Sequence, residues 1–248
     1  MRKTVAVVAG AVAALFPAVL VLKADQSRRL SENRSRAQTP VVCQMDVLDF
    51  PAEKKKGWYL SLMAPNTKGP MFAWLDPSRL YCNSQAFADC VEDLLSPFQK
   101  DSIDLVAGVD AMGFILGASV ATTLGKGFLA IRKEGHLCVP TEQQNYTDYT
   151  GKENTLELRK DVLKAGLRVI IVDQWIETGG TMKAAIQLVE RQGATVAGVA
   201  AVAIENTEGG KWIKEHYRFS HCIPEELQSH IDAKDLDTFI QKFQQLNN

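Results

Sequence analysis

Strands and helices alternate along most of this chain, and the fold it predicts is α/β: a five-stranded parallel sheet flanked by helices. Three observations carry that expectation. Short apolar runs rich in branched residues stand at 104–110, 168–172 and 195–204, each bounded as a buried strand is. Amphipathic stretches separate them, and strand–helix–strand succession implies right-handed crossovers and a sheet covered on both faces. The clearest run, Arg168 to Val172, ends at an acid and is soon followed by Thr-Gly-Gly-Thr, a turn suited to the carboxyl edge of such a sheet.

The elements follow in order. Met1-Arg2-Lys3 is basic, and Thr4 to Leu22 is an uncharged run rich in Ala and Val. As a helix this run would reach roughly 28 Å, enough to cross the hydrocarbon core of a bilayer. A membrane anchor at residues 4–22 is therefore one reading. A secretory signal is a poorer one, because Leu22-Lys23-Ala24 is a weak cleavage site. An organelle presequence would account for the Arg- and Ser-rich stretch Gln26 to Arg36, and an irregular N-terminal extension remains a further alternative. Basic residues flank both ends of the run, so charge does not set an orientation. Residues 1–40 are read as this extension and residues 41–248 as the domain.

Within the domain, Ser84 to Phe98 reads as an amphipathic helix with Phe87, Val91, Leu94 and Leu95 on one side. Asp104 to Asp110 is a strand ending at a carboxylate, Phe114 to Leu124 a helix, and Gly127 to Ile131 a strand. A polar, aromatic-bearing loop is expected from Lys133 to Lys152. Arg168 to Val172 is strand, Met182 to Arg191 helix and Thr195 to Ile204 strand, with further helix after Pro224. Each branched residue of Val169 to Val172 contributes ~1.5–3 kcal/mol if fully buried, so this strand belongs to the core.

Composition limits the function. The chain has 248 residues, 46% of them hydrophobic, and a formal net charge of −1, which gives no support for a nucleic-acid partner. Its five cysteines are odd in number and form no CxxC pair, so reduced thiols are expected rather than a disulfide framework or zinc site.

Chemistry gathers after the strand at Val172. Asp173-Gln174 and Trp175-Ile176-Glu177 lead into Thr178-Gly179-Gly180-Thr181 and then a helix. Glycines let consecutive N–H groups point into one concavity, and the helix adds its unsatisfied N–H groups and positive dipole end. With the two threonine hydroxyls this makes a cradle for a phosphate monoester. Asp173 at the strand tip can accept hydrogen bonds from a neighbouring sugar diol. Glu177 belongs to the same set, and its carboxylate is expected to point to solvent, since aimed inward it would repel phosphate. Trp175 is expected to pack beneath the loop. The competing reading is that the Gly-Gly turn only joins strand to helix.

The run Val169 to Thr181 resembles the phosphoribosyl-pyrophosphate (PRPP) motif of the type I phosphoribosyltransferases. Val106-Ala107-Gly108-Val109-Asp110-Ala111-Met112-Gly113-Phe114 is similar to the family's pyrophosphate loop. Ile131-Arg132-Lys133-x-Gly135 and Tyr146-Thr147-Asp148-Tyr149-x-Gly151-Lys152 resemble the segments that introduce and form its mobile catalytic loop. Gly69-Pro70-Met71-Phe72 is similar to the stretch near the base pocket of the adenine-specific branch. The likeness spans about Pro65 to Phe219. It implies the type I fold with a small hood built largely before Ser84, and PRPP, magnesium, adenine and AMP as ligands, the magnesium held mainly by substrate. It also implies homodimer formation and a cytoplasmic or cytosol-facing location, organelle targeting staying open.

By the same resemblance, Asp173, Gln174, Glu177 and Thr178 to Thr181 would bind the phosphoribosyl group, and Ala111, Met112, Arg132 and Lys133 would face pyrophosphate. Met71 and Phe72 would form the base pocket, while Asp148, Asp173 and Arg132 would carry catalysis. The chain departs from the family pattern at four places. Gln174 replaces the second acid, Met112 an arginine, Ala73-Trp74 an Arg-Asp pair, and Asp148 a glutamate. Removing a donor to the leaving group usually costs ~10²–10³ in rate. Two function classes therefore stand: an adenine-using phosphoribosyltransferase of weakened activity, and a catalytically inactive nucleotide- or PRPP-binding regulatory or scaffold protein.

Overall fold

The computed structural model describes residues 55–65 and 75–232. The run at 4–22, the division near residue 40, Cys43, and Met71 to Trp74 lie outside the described residues.

The core is a sheet of seven strands in the order β5-β6-β4-β3-β7-β8-β9. Strands β3 (Leu105–Val109), β4 (Gly127–Lys133), β7 (Arg168–Ile176), β8 (Thr195–Ile204) and β9 (Phe219–His221) run parallel. These five match the expected parallel sheet. The correction is the antiparallel hairpin β5 (Thr141–Thr147) and β6 (Glu153–Arg159), which joins β4 through Arg132↔Glu157 and Lys133↔Leu156. Much of the segment expected as loop is therefore strand. It attaches at the carboxyl end of β4, the edge where the chemical residues were expected.

Alternation along the parallel strands divides the core in two, because successive side chains face opposite sides of a sheet. Ile170, Val172, Ala200 and Val202 face one side, packed with Leu94 of α2 (Ser84–Leu95), Leu116 and Val120 of α3 (Met112–Leu124) and Leu227 of α6 (Glu225–Asp232). Val169, Ile171, Val199 and Ala201 face the other, under Ile186 and Val189 of α4 (Gly180–Arg191) and Ile213 of α5 (Glu208–His216). Helix α2 starts where the Asn83 side chain accepts from the Ala86 N–H at 2.8 Å. It gives way at Ser96–Phe98 to a 3-10 turn, since Pro97 cannot extend the helical hydrogen bonding.

Before Ser84, a 3-10 turn at Trp58–Leu62, a two-stranded ladder of β1 (Ala64–Pro65) and β2 (Leu75–Asp76), and α1 (Ser78–Cys82) pack on the first face. Tyr59, Leu60, Leu75 and Leu80 are fully buried there. Asp93 of α2 accepts from the Tyr59 hydroxyl at 2.8 Å and the Gly57 N–H at 3.1 Å, which pins this hood down. Cys82, Cys90, Cys138 and Cys222 are free thiols, and the buried Cys90 and Cys222 sulfurs lie 3.9 Å apart. No helix among the described residues is long and apolar enough to cross a membrane.

Burial separates the core from its cover. Ile171→Ala should lower unfolding free energy by about 2–5 kcal/mol, whereas Ile115→Ala should change it by less than about 0.5 kcal/mol, since Ile171 is buried and Ile115 is 41% exposed. Urea titration of both variants checks the contrast.

Candidate active site

Strand β7 runs fully buried from Val169 to Val172 and then opens at Asp173 into a cavity of about 410 Å³. Asp148, Asp173, Gln174, Glu177, Thr178, Gly179 and Thr181 line it, together with Ala111, Met112 and Lys133. The fold thus brings together residues spread over seventy positions of sequence. Of the other expected site residues, Gly180 adjoins the cavity, Arg132 is turned to other partners, and Met71 and Phe72 lie outside the described residues.

Asp173 occupies the centre. Its Oδ1 accepts from the Gln174 N–H at 2.7 Å, and α3 begins directly against it. A Cβ on Gly113 would stand 2.5 Å from the Val172 carbonyl oxygen and 3.1 Å from Asp173 Cα, so only glycine lets helix and strand approach this closely. Packing around the carboxyl group pushes its pKa up to about 7, against a lowering by the Gln174 N–H. Charge there is disfavoured without a ligand to meet it.

The phosphate cradle is held from behind. Gly179 has φ 81° and rests on Gly209, where a Cβ would come within 2.9 Å of the Gly209 backbone. The Thr207 hydroxyl donates to the Glu177 carbonyl at 2.6 Å and accepts from the Gly210 N–H at 3.1 Å, so the start of α5 supports the loop. Helix α4 opens at Gly180 with no side-chain cap, which leaves its first N–H groups facing the cradle.

The hairpin closes the opposite side. Tyr146 is buried, and burial raises its phenol pKa while contact with the Thr181 hydroxyl opposes that rise. The Thr147 carbonyl lies against Gly180. Asp148 accepts from the Thr150 hydroxyl at 2.6 Å, the Thr150 and Lys152 N–H groups at 2.9 and 3.1 Å, and the Asn154 amide at 2.7 Å. These bonds, led by Thr150, lower its pKa. Asp148 is therefore a carboxylate that organises the hairpin turn and also lines the cavity.

Arg132 is also engaged. Its Nε lies 3.5 Å from Asp110 Oδ2 and its Nη1 donates to the His136 carbonyl at 3.0 Å. Lys133 remains to supply positive charge at the cavity wall. Gln174 is 4% exposed, and its Nε2 donates to the Leu75 carbonyl at 3.0 Å. Its amide N–H is thus given to the hood, while the residue also lines the cavity beside Asp173. Trp175 packs against the core and also lines the cavity, its indole N–H donating to the buried Glu205 carboxylate at 2.7 Å. Glu177 lines the cavity as well, and its charge, after burial and Asp148, helps raise the Tyr149 phenol pKa.

Tyr146, Tyr149 and Asp110 join the expected residues at the cavity wall. The two tyrosines were legible in the hairpin's resemblance to a catalytic loop, while nothing in the sequence marked Asp110 as the partner of Arg132. Among the described residues the wall carries the carboxyl groups of Asp110, Asp148, Asp173 and Glu177 together with the ammonium of Lys133, and Asp110 is paired with Arg132.

Comparison with known proteins agrees with this geometry. The family described as phosphoribosyl transferase domain matches residues 81–237. The adenine phosphoribosyltransferase of Dinoroseobacter shibae is 43% identical over 157 residues, 63% of this chain and 86% of that protein. That of Jannaschia sp. is 43% identical over 136 residues, 55% of this chain and 75% of its own length. Among solved structures, the adenine phosphoribosyltransferase of Rhodothermus marinus has 32% identity and a TM-score of 0.61, covering 66% of this chain and 96% of that one. The Giardia lamblia enzyme complexed with 9-deazaadenine has 27% identity and a TM-score of 0.62, covering 68% and 97%.

The state of Asp173 makes stability depend on pH. Its carboxyl titrates near 7 in the fold against 3.8 ordinarily, so the folded chain holds a proton that the unfolded chain has released. That stabilisation is complete below pH 4 and lost as pH rises through 7. Asp173→Asn should leave the melting temperature nearly unchanged at pH 4 and raise it above pH 7. The gain corresponds to up to about 4 kcal/mol, and thermal unfolding of both proteins from pH 4 to 8 measures it.

Proposed function

The chain belongs to the phosphoribosyl transferase domain family, and from that premise we propose that it transfers the 5-phosphoribosyl group of PRPP to adenine or a related 6-aminopurine. The products are AMP and pyrophosphate, the chemistry of purine salvage. One observation carries this reading: Asp173 and the Thr178–Thr181 cradle face one cavity that the Tyr146–Tyr149 hairpin closes.

A purine nitrogen forms a bond to the anomeric carbon of PRPP as the bond from that carbon to pyrophosphate oxygen breaks, and the purine N–H proton is released. Positive charge grows on the ribose ring meanwhile, so negative groups beside it lower the barrier. The cradle receives the 5-phosphate on the N–H groups of α4 and the threonine hydroxyls. Asp173 accepts from the ribose hydroxyls, which favours its ionised form and brings charge to the sugar when the ligand arrives. Lys133 faces the leaving pyrophosphate. The hairpin keeps water from the anomeric carbon, Asp148 fixing the turn that holds it in place. Magnesium would come with PRPP, held mainly by the substrate, and would neutralise charge on the leaving pyrophosphate. We place the reaction on the cytosolic side, where PRPP and magnesium are available.

A second reading, binding without turnover, is favoured by particular contacts. Met112 lines the pyrophosphate side with no donor, and Arg132 is held by Asp110. Pyrophosphate release from magnesium-PRPP with adenine, hypoxanthine or guanine separates the two. The enzyme reading expects slow release with adenine, abolished in Asp173→Ala and quickened by ~10² in Met112→Arg, which supplies the missing donor. AMP binding that Asp173→Ala abolishes, with no release in either the unaltered chain or Met112→Arg, would establish the binding protein instead.

A further inference from the structure

Gln174 lines the cavity beside Asp173, but its side-chain amide is tied elsewhere. Successive residues of a strand face opposite sides, so Asp173 turns to the cavity while the Gln174 amide turns toward the hood. There its Nε2 donates to the carbonyl of Leu75, 3.0 Å away and 99 residues earlier in the chain. Leu75 is fully buried, and Gln174 is 4% exposed. We propose that Gln174 is a positioning residue. Through its side-chain amide it fastens the hood to the strand that carries Asp173, and so sets the separation between the sugar side and the base side of the cavity.

The chemistry of the pair explains the residue. A carbonyl oxygen only accepts, so the group facing it must donate, and an amide does so without charge. A carboxylate at position 174 would set two acceptors against each other in a buried place, leaving both without a partner. The acid expected from the family pattern is thus incompatible with this hood contact. The hood is also within electrostatic reach of the sugar side: burial, then Cys90, Asp173 and Asp76, raise the phenol pKa of Tyr81 on α1. That the base side is what the hood positions rests on the proposed function.

Hydrogen–deuterium exchange on the full chain, unaltered and as Gln174→Met and Gln174→Glu, tests the fastening without any ligand. Amides of Leu75–Tyr81 should exchange about tenfold faster in both variants, the effect of one buried hydrogen bond, while those of β3 and β8 keep their protection. Calorimetry then reads the positioning: AMP affinity should fall about tenfold and magnesium-PRPP affinity should stay the same. Unchanged exchange in the hood, or a loss of PRPP affinity as large as that for AMP, would overturn the inference. If the unaltered chain binds neither ligand, the proposed function fails, and hood exchange alone still decides whether Gln174 is the fastening.

Discussion

Strand β7 must be buried on both faces, and most of the architecture follows from that requirement. It lies between β3 and β8, hydrogen-bonded to each, with its even and odd residues feeding separate apolar layers. Helices are needed over both layers, and parallel strands joined through them bring their carboxyl ends to one edge. Asp173 is where this strand first escapes complete burial. The cradle follows within a few residues because the chain must turn there to enter α4. The site is thus the termination of the core and not an addition to it.

Close main-chain contact gives that termination its shape. Gly113 brings α3 against Asp173, and Gly179 rests on Gly209 at the start of α5. Two helices that share no sequence neighbourhood with the cradle therefore fix its position. The result costs stability: a carboxyl group raised toward neutrality, a helix start with no side-chain cap, and a cavity wall rich in carboxyl groups among the described residues. Each of these is unfavourable in the empty protein, and under the proposed function each would be relieved by a phosphorylated sugar arriving with its cation.

The parallel strands and the helices beside them were legible because apolar runs and amphipathic periods survive in the sequence. Thr195 to Ile204 was found to the residue, and α2 ended early only because of Pro97. The hairpin was not legible. Thr141–Thr147 buries just Tyr146, so no alternation marks it, and its pairing comes from β6 and the end of β4. β9 was missed for a related reason, since three residues are too few to show a period. Within the site, the cradle and Asp173 were readable from a local motif. Arg132, Asp148 and Gln174 were not, because their partners are chosen by the fold: Asp110 across the sheet edge, the turn at Thr150 and Lys152, and the Leu75 carbonyl from the hood.

The polarity that hid the hairpin has its own use. β5 ends the seven-stranded sheet, and a terminal strand offers backbone groups on which another chain can add by strand pairing. Thr-Glu-Gln-Gln-Asn-Tyr-Thr is a poor template for that. Arg191 of α4 donates to the Gln143 carbonyl, and Glu142 meets both Lys160 and Arg191. These contacts occupy part of the strand's hydrogen-bonding rim with charge. The same strip that helps wall the cavity is therefore a poor template for strand addition at this edge of the sheet.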